Sequence, residues 1–350
     1  MRLMTLQGLF LSATCGFLLA AAGAGCGGDD GGGDNMMMAA PKCTADKVTG
    51  TSSQYATNDL RLPQSSGSKT FAYDFNKDGK QENQLKTLIQ AVSVAGLNLQ
   101  DSVTKAVADG EAVILGEVKA PDLMKSDCAS VTLSLAKGPE MGDKPPVFDG
   151  NDMFKVGTVM GVKLFGKIEG GVLTTTASAD QTAEDEQRIE IQLPLSMGTV
   201  LPLALRGVHI QGTVTMDKGV AAIKDGQLHG VISQRDIDGK IVPLVAQLVT
   251  KMINDKPDDS TTKTIINLFE NQMNDVSKNK CMNTPAKCCK TNPMTCEILD
   301  AEIKLSPVGG VLASDIEAFD GQDRWAPSKE NKNKNGMSVG LGFSMIKAKF

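Results

Sequence analysis

The stretch Ile189-Glu190-Ile191-Gln192-Leu193-Pro194-Leu195-Ser196-Met197 places an apolar side chain at every second residue. Successive side chains of a strand point to opposite faces, so a period of two describes a sheet with one buried and one wet face. The same period recurs at Ala129, Val131, Leu133 and Leu135, and at Val162, Leu164 and Ile168. Between such runs stand Glu169-Gly170-Gly171, Asp217-Lys218-Gly219 and Asp225-Gly226, the residue types that tight hairpin turns require. Residues 112–233 are therefore expected to form eight to ten antiparallel strands, arranged as a β-sandwich or an open barrel.

The period changes on either side. Leu85, Leu88, Ile89 and Val92 fall at helical spacing with Gly96 behind them, and Leu99, Val103, Ala106 and Val107 make a second stripe that Gly110 ends. Pro243 suits the first turn of a helix bearing Leu244, Leu248 and Met252, and Ser260 can cap another bearing Ile265, Leu268 and Phe269. The fold class is thus mainly β with accessory helices (α+β), the helices lying near residues 82–108 and 243–272. Phe71 to Phe75 reads as a short strand. The apolar run Ser338 to Phe350 is strand-like, and a terminal strand pairs back into a sheet, which makes residues 43–350 one β-rich domain. A boundary near Lys240 is the alternative.

The chain opens with Arg2, an apolar stretch from Leu3 to Ala22, the small residues Gly23-Ala24-Gly25, then Cys26 and a Gly/Asp tract. A positive start, a short apolar core and small residues before the cut are the parts of a secretory signal. The segment resembles a bacterial lipoprotein signal peptide, with Gly23 where that family usually has an aliphatic residue. The resemblance implies cleavage after residue 25, lipidation of Cys26 and a membrane partner through the lipid anchor. Residues 26–42, rich in Gly, Asp and Met, cannot bury apolar area and read as a tether. Gly27 after the cysteine implies the outer membrane or the cell surface.

Charge and composition exclude several classes. Arg2 is the only charged residue in the signal segment, so cleavage moves the net charge from −5 to −6, and no basic stripe offers a footprint for nucleic acid. Aromatics make up 4% of the chain, with Trp325 as the sole tryptophan, which argues against a sugar-binding face of stacked rings. Of the eight cysteines, Cys15 leaves with the signal and Cys26 carries lipid. Cys43, Cys128, Cys281, Cys288, Cys289 and Cys296 remain, an even number in an oxidising compartment, and read as disulfides. Proximity favours Cys43 with Cys128 and two bridges within 281–296. Zinc is the alternative for the C-x6-C-C-x6-C cluster, which lacks both a short C-x2-4-C pair and a histidine.

Asp74-Phe75-Asn76-Lys77-Asp78-Gly79-Lys80-Gln81-Glu82 offers side-chain oxygens at positions 1, 3, 5 and 9 and a backbone carbonyl at 7, as a hard cation requires. It resembles the calcium loops of EF-hands, dockerins and thrombospondin type 3 repeats, which implies Ca²⁺ held by Asp74, Asn76, Asp78, the Lys80 carbonyl and Glu82. Position 12, a bidentate carboxylate in the EF-hand, is Leu85 here. An Asx-rich turn between two elements is the plainer reading. Asn331-Lys332-Asn333-Lys334-Asn335-Gly336 repeats the pattern with amides for carboxylates and reads as a surface turn. His209 and His229, the only histidines, fall on the polar side of their strands, as neighbours exposed on the sheet.

No catalytic motif is recognisable, neither a nucleophile elbow nor H-E-x-x-H nor a P-loop. The expected role is non-catalytic: an envelope protein that binds or supports an envelope protein or glycan, stabilised by disulfides and calcium. A hydrolase with its site on loops of the sandwich and a component of an adhesive or secretion complex are the alternatives.

Overall fold

Alternation fixes two faces for each strand, and pairing decides where those faces go. The computed structural model describes residues 43–64, 70–86, 89, 98–139, 144–157, 162–176, 188–194, 200–217, 219–256, 259–260 and 314–350. Within them run ten strands: β1 (Thr51–Arg61), β2 (Ile114–Ala120), β3 (Lys125–Pro139), β4 (Phe154–Val156), β5 (Val162–Glu169), β6 (Val172–Thr176), β7 (Ile189–Pro194), β8 (Val200–Asp217), β9 (Val220–Ser233) and β10 (Gly336–Lys347). Every pairing between them is antiparallel.

Eight of the ten close on themselves in the order β1-β2-β3-β5-β6-β8-β9-β10 and back to β1. The fold is mainly β with short helices, as expected, and its sheet is one closed up-and-down barrel rather than a sandwich or an open barrel. Closure comes from β1, which pairs with β2 on one side and with β10 on the other. A sheet that closes has no unpaired edge to shield. β4 and β7 lie off the ring, on β3 and β8 respectively.

Register carries the alternation around the wall. Val118 stands opposite Val131 and Val131 opposite Leu164, while Ile210 faces Leu228 and Leu228 faces Leu341. All belong to one buried cluster inside the barrel. On the outer face, Lys167, Thr174, Gln211 and Gln227 follow one another across four strands. A transmembrane barrel carries the reverse pattern, apolar outward and polar inward.

Helix α1 (Leu99–Ala108) adds Leu99, Val103 and Val107 to the same cluster, begins on an Asn98 side chain that accepts from the Asp101 N–H, and stops before Gly110 at φ +82°. This is the stripe expected from its spacing. Where β9 ends, a helical turn (Gln234–Asp236) and a π-helical stretch (Ile237–Ile241) lead into α2 (Val242–Asp255). Ile237, Ile241 and Val242 are buried in the barrel cluster, so the chain near Lys240 is continuous with the core, and Cys43–Phe350 forms one compact unit. Phe71 to Phe75 is no strand, since its one pairing is an isolated bridge between Tyr73 and Glu82.

Cys43 and Cys128 form a disulfide that ties the start of the described chain to β3. Residues 1–42 with Cys26, the cluster Cys281, Cys288, Cys289 and Cys296, Leu195 to Met197, and the helix expected after Ser260 lie outside the described residues. A cross-link across a separation of 85 residues removes much chain entropy from the unfolded state. Replacing both cysteines by serine is expected to cost about 4.5 kcal/mol on that account, read as a lowered urea midpoint.

Candidate functional site

The candidate site is built on the outside of the barrel wall. The outward residues of β10 are Ser338, Gly340 and Gly342, and their smallness lets another segment lie on the strand backbone. A Cβ on Gly340 would stand 1.7 Å from the Phe71 carbonyl oxygen, and one on Gly342 would meet the Phe71 ring at 2.3 Å. Residues 70–86 occupy that space as a strap. Asn83 fastens it: its amide donates to the carbonyls of Thr70, Phe71 and Gly340 at 2.7, 3.1 and 3.0 Å, and its carbonyl accepts from the Gly340 N–H at 3.1 Å. The Gln84 N–H donates to Ser338 Oγ at 2.9 Å. Leu85, at position 12 of the calcium-like loop, is buried in the barrel cluster and holds no ion.

Between Tyr73 and Glu82 the strap forms a loop whose base is closed by two backbone hydrogen bonds of 3.1 Å. Asp74 accepts from the N–H groups of Asp78 and Gly79 at 3.1 and 2.9 Å. Asn76 Oδ1 accepts from Asp78 N–H at 3.2 Å, and Asp78 Oδ1 from Lys80 N–H at 2.9 Å. Lys77 at φ +58° and Gly79 at φ +88° let the chain turn inside so few residues. The oxygens of Asp74, Asn76 and Asp78 are thereby gathered on the inside of one turn.

Glu82 shows what the loop lacks. Its Oε2 is buried without a hydrogen-bond partner. Burial raises the carboxyl to about 7, and the carboxylates of Asp78, Asp315 and Asp74 push it in the same direction. Asp315 reaches the site from the segment before β10, where it accepts from the N–H and Oγ–H of Ser338, and burial raises it as well. Like charges this near disfavour the ionised form of the buried Glu82 carboxyl. Among the described residues no three His, Cys, Asp or Glu side chains form a metal-holding group. A cation here would draw also on the Asn76 amide oxygen and the Lys80 carbonyl.

The histidines differ from their expected exposure. They are neighbours, directly opposite each other on β8 and β9, but both are buried. Alternation does place them on the outer face, and the strap then covers that face. Tyr73 stacks on both rings, with centroids 4.6 Å from His209 and 4.8 Å from His229, and its hydroxyl lies 3.4 Å from His209 Nδ1.

A second strap, residues 314–335, completes the cover, with only the turn at 331–336 marked by a local signal. Trp325 packs edge-on to Phe75 and Phe319, its ring filling the space where a Cβ on Gly207 would lie. Arg206 secures this strap through the Asp323 carbonyl at 2.8 Å and carboxylate at 3.2 Å, with its guanidinium over the Phe319 ring. In the calcium-like repeat of this segment, Asn335 accepts from the N–H groups of Ala318 and Phe319 and donates to the Phe319 carbonyl, while Asn331 accepts from Glu317 N–H. Bridging donors and acceptors is work for an amide, which explains Asn where a calcium loop has Asp.

Comparison with family models, with curated proteins and with solved structures finds no match to the chain.

A carboxyl whose folded value lies above its unfolded one binds its proton more tightly when folded, so it loses stability as pH rises from 4.5 through 7. Glu82→Gln is therefore expected to stabilise the metal-free protein by about 1 kcal/mol above pH 7, after allowance for solvent screening, and to have no effect near pH 4. Urea unfolding at the two pH values in chelator checks this.

Proposed function

We propose that this chain is an envelope protein held to a membrane by lipid on Cys26, that its barrel acts as a non-catalytic binding or structural module, and that Ca²⁺ fastens the strap. The disulfide between Cys43 and Cys128 carries the reading of location, because such bonds persist in oxidising compartments. It joins the domain where the Gly/Asp/Met stretch ends. The polar outward residues of β5, β6, β8 and β9 support a lipid anchor as the means of attachment, since they do not suit a wall set in hydrocarbon.

For calcium, the unpartnered Glu82 oxygen among the carboxylates of Asp74, Asp78 and Asp315 is the supporting observation. Asp74, Asn76, Asp78, the Lys80 carbonyl and Glu82 would hold the ion, and Asp315 stands in for the carboxylate that Leu85 displaces. A bound divalent cation supplies the positive charge that makes this crowding favourable. Its role is structural, because the loop shares its residues with the strap that covers the wall.

Metabolic labelling with a fatty acid is expected to mark the wild-type protein and to leave Cys26→Ser unmarked; a label that survives this substitution removes the anchor from Cys26. For the ion, free calcium at about a hundredfold over its dissociation constant is expected to raise the melting temperature by about 5 °C relative to chelator. Asp78→Ala is expected to abolish the difference, and a wild-type melting point indifferent to calcium excludes the site.

A further inference from the structure

The only two histidines of the chain meet in one buried stack beneath the strap. Tyr73 lies over both rings, Phe75 meets His209 edge-on at 6.3 Å, and Trp325 meets Phe75 at 6.4 Å. His229 Nε2 is buried with no hydrogen-bond partner. We propose that this His-Tyr-His stack is an acid-released latch, which holds residues 70–82 on the barrel wall at neutral pH and lets them go when the rings take up protons.

At His209 a hydrogen bond to the Thr175 backbone favours an imidazolium, while the charged groups near the two rings are engaged elsewhere or carry like charge. On the strap, Lys77 adds like charge near His209, and Asp74 is taken up by the amides of Asp78 and Gly79. On β8, Arg206 is paired with Asp323 and Asp236. Asp315 is held by Ser338 of β10. On β9 the nearest outward neighbours of His229 are Gln227 and Val231, both uncharged. Each histidine also opposes the protonation of the other across the strand pair.

Burial accordingly holds His209 at about 4, against a pull upward from a hydrogen bond to the Thr175 backbone, and His229 at about 3. A histidine held low in the closed state contributes stability that is complete above its free value and is lost as pH falls toward the closed value. The two rings together therefore raise the ratio of open to closed strap by up to about 10⁴-fold between pH 7 and pH 4.5, and the Glu82 carboxyl, held at about 7 in the closed strap, offsets about a hundredfold of that rise. Opening has a defined pivot, because Asn83 and the buried Leu85 keep the far end in place. It exposes Phe71, Tyr73 and Phe75 and the glycine face of β10.

Amide hydrogen exchange in chelator, at about pH 7 and about pH 4.5 and normalised to the unfolded chain, tests the latch. Protection of the Tyr73, Asp78, Gly79 and Glu82 amides is expected to fall about tenfold or more at the lower pH, while amides of 337–343 keep theirs. In His209→Gln/His229→Gln, where only the raised Glu82 carboxyl still titrates, strap protection is expected not to fall at the lower pH. An unchanged wild-type strap, a uniform loss across the barrel, or equal loosening in the double variant overturns the proposal. Should that variant fail to fold, the imidazole carbon-bound proton resonances of the wild type decide. Titration of both below about pH 5.5 together with strap exchange supports the latch, and midpoints near the free value overturn it.

Discussion

Pairing of β1 with β10 turns a meander of hairpins into a barrel, and each other feature described rests on that closure. Residues 55–61 find their partners at 342–347, so the bond between the first and last strands is made only when nearly the whole domain is in place. Loop entropy makes such a contact late and expensive. Its return is a continuous apolar interior, from Tyr55 through Leu133 and Leu164 to Met345, with no open edge. Closure also brings the chain ends of the domain together: Gln54 donates to the Phe350 carbonyl and accepts from its N–H.

The outer wall then becomes a second place to bury side chains. A strand of the form Gly336-Met337-Ser338-Val339-Gly340-Leu341-Gly342-Phe343 is apolar on one face and nearly bare on the other. The bare face admits backbone as a neighbour, and Asn83 supplies the hydrogen bonds that such close contact leaves to be made. The few aromatic residues are concentrated here. Tyr73, Phe75, Phe319 and Trp325 gather against the wall, and Phe148 and Phe154 cover Ala56 and Leu115 elsewhere on it. The carboxylate loop belongs to these covers, and the histidine stack and the Arg206 ion pairs join them to β8 and β9 of the barrel.

Legibility followed the range of the interaction. The strands with clean alternation, β3, β5 and β7, were readable because the period of two is local. Helix α1 was readable from its stripe and from Gly110. β1, with the sequence Thr51-Ser-Ser-Gln-Tyr-Ala-Thr-Asn-Asp-Leu-Arg61, was not, because its partners on both sides and a register shift between Thr57 and Asp59 impose the pairing from outside. The candidate loop at 74–82 was visible as a spacing of oxygen-bearing residues. Asp315, which stands over 230 positions away, had no local signal. His209 and His229 were placed on the correct face of the sheet and in the wrong environment, since nothing in two strands tells of a strap laid over them.

By itself, the sequence determined what short-range stereochemistry controls: a mainly β domain, the faces of its strands, the turn residues between them, one helix with its cap, and a loop that gathers acidic oxygens. Only the tertiary structure decided that the sheet closes, that the outer face of β8, β9 and β10 is covered, and that a tyrosine sits on two histidines beside three aspartates and a glutamate. The physical reason is that side-chain direction is set residue by residue, whereas burial and charge environment are set by whichever distant segment the closed barrel brings alongside.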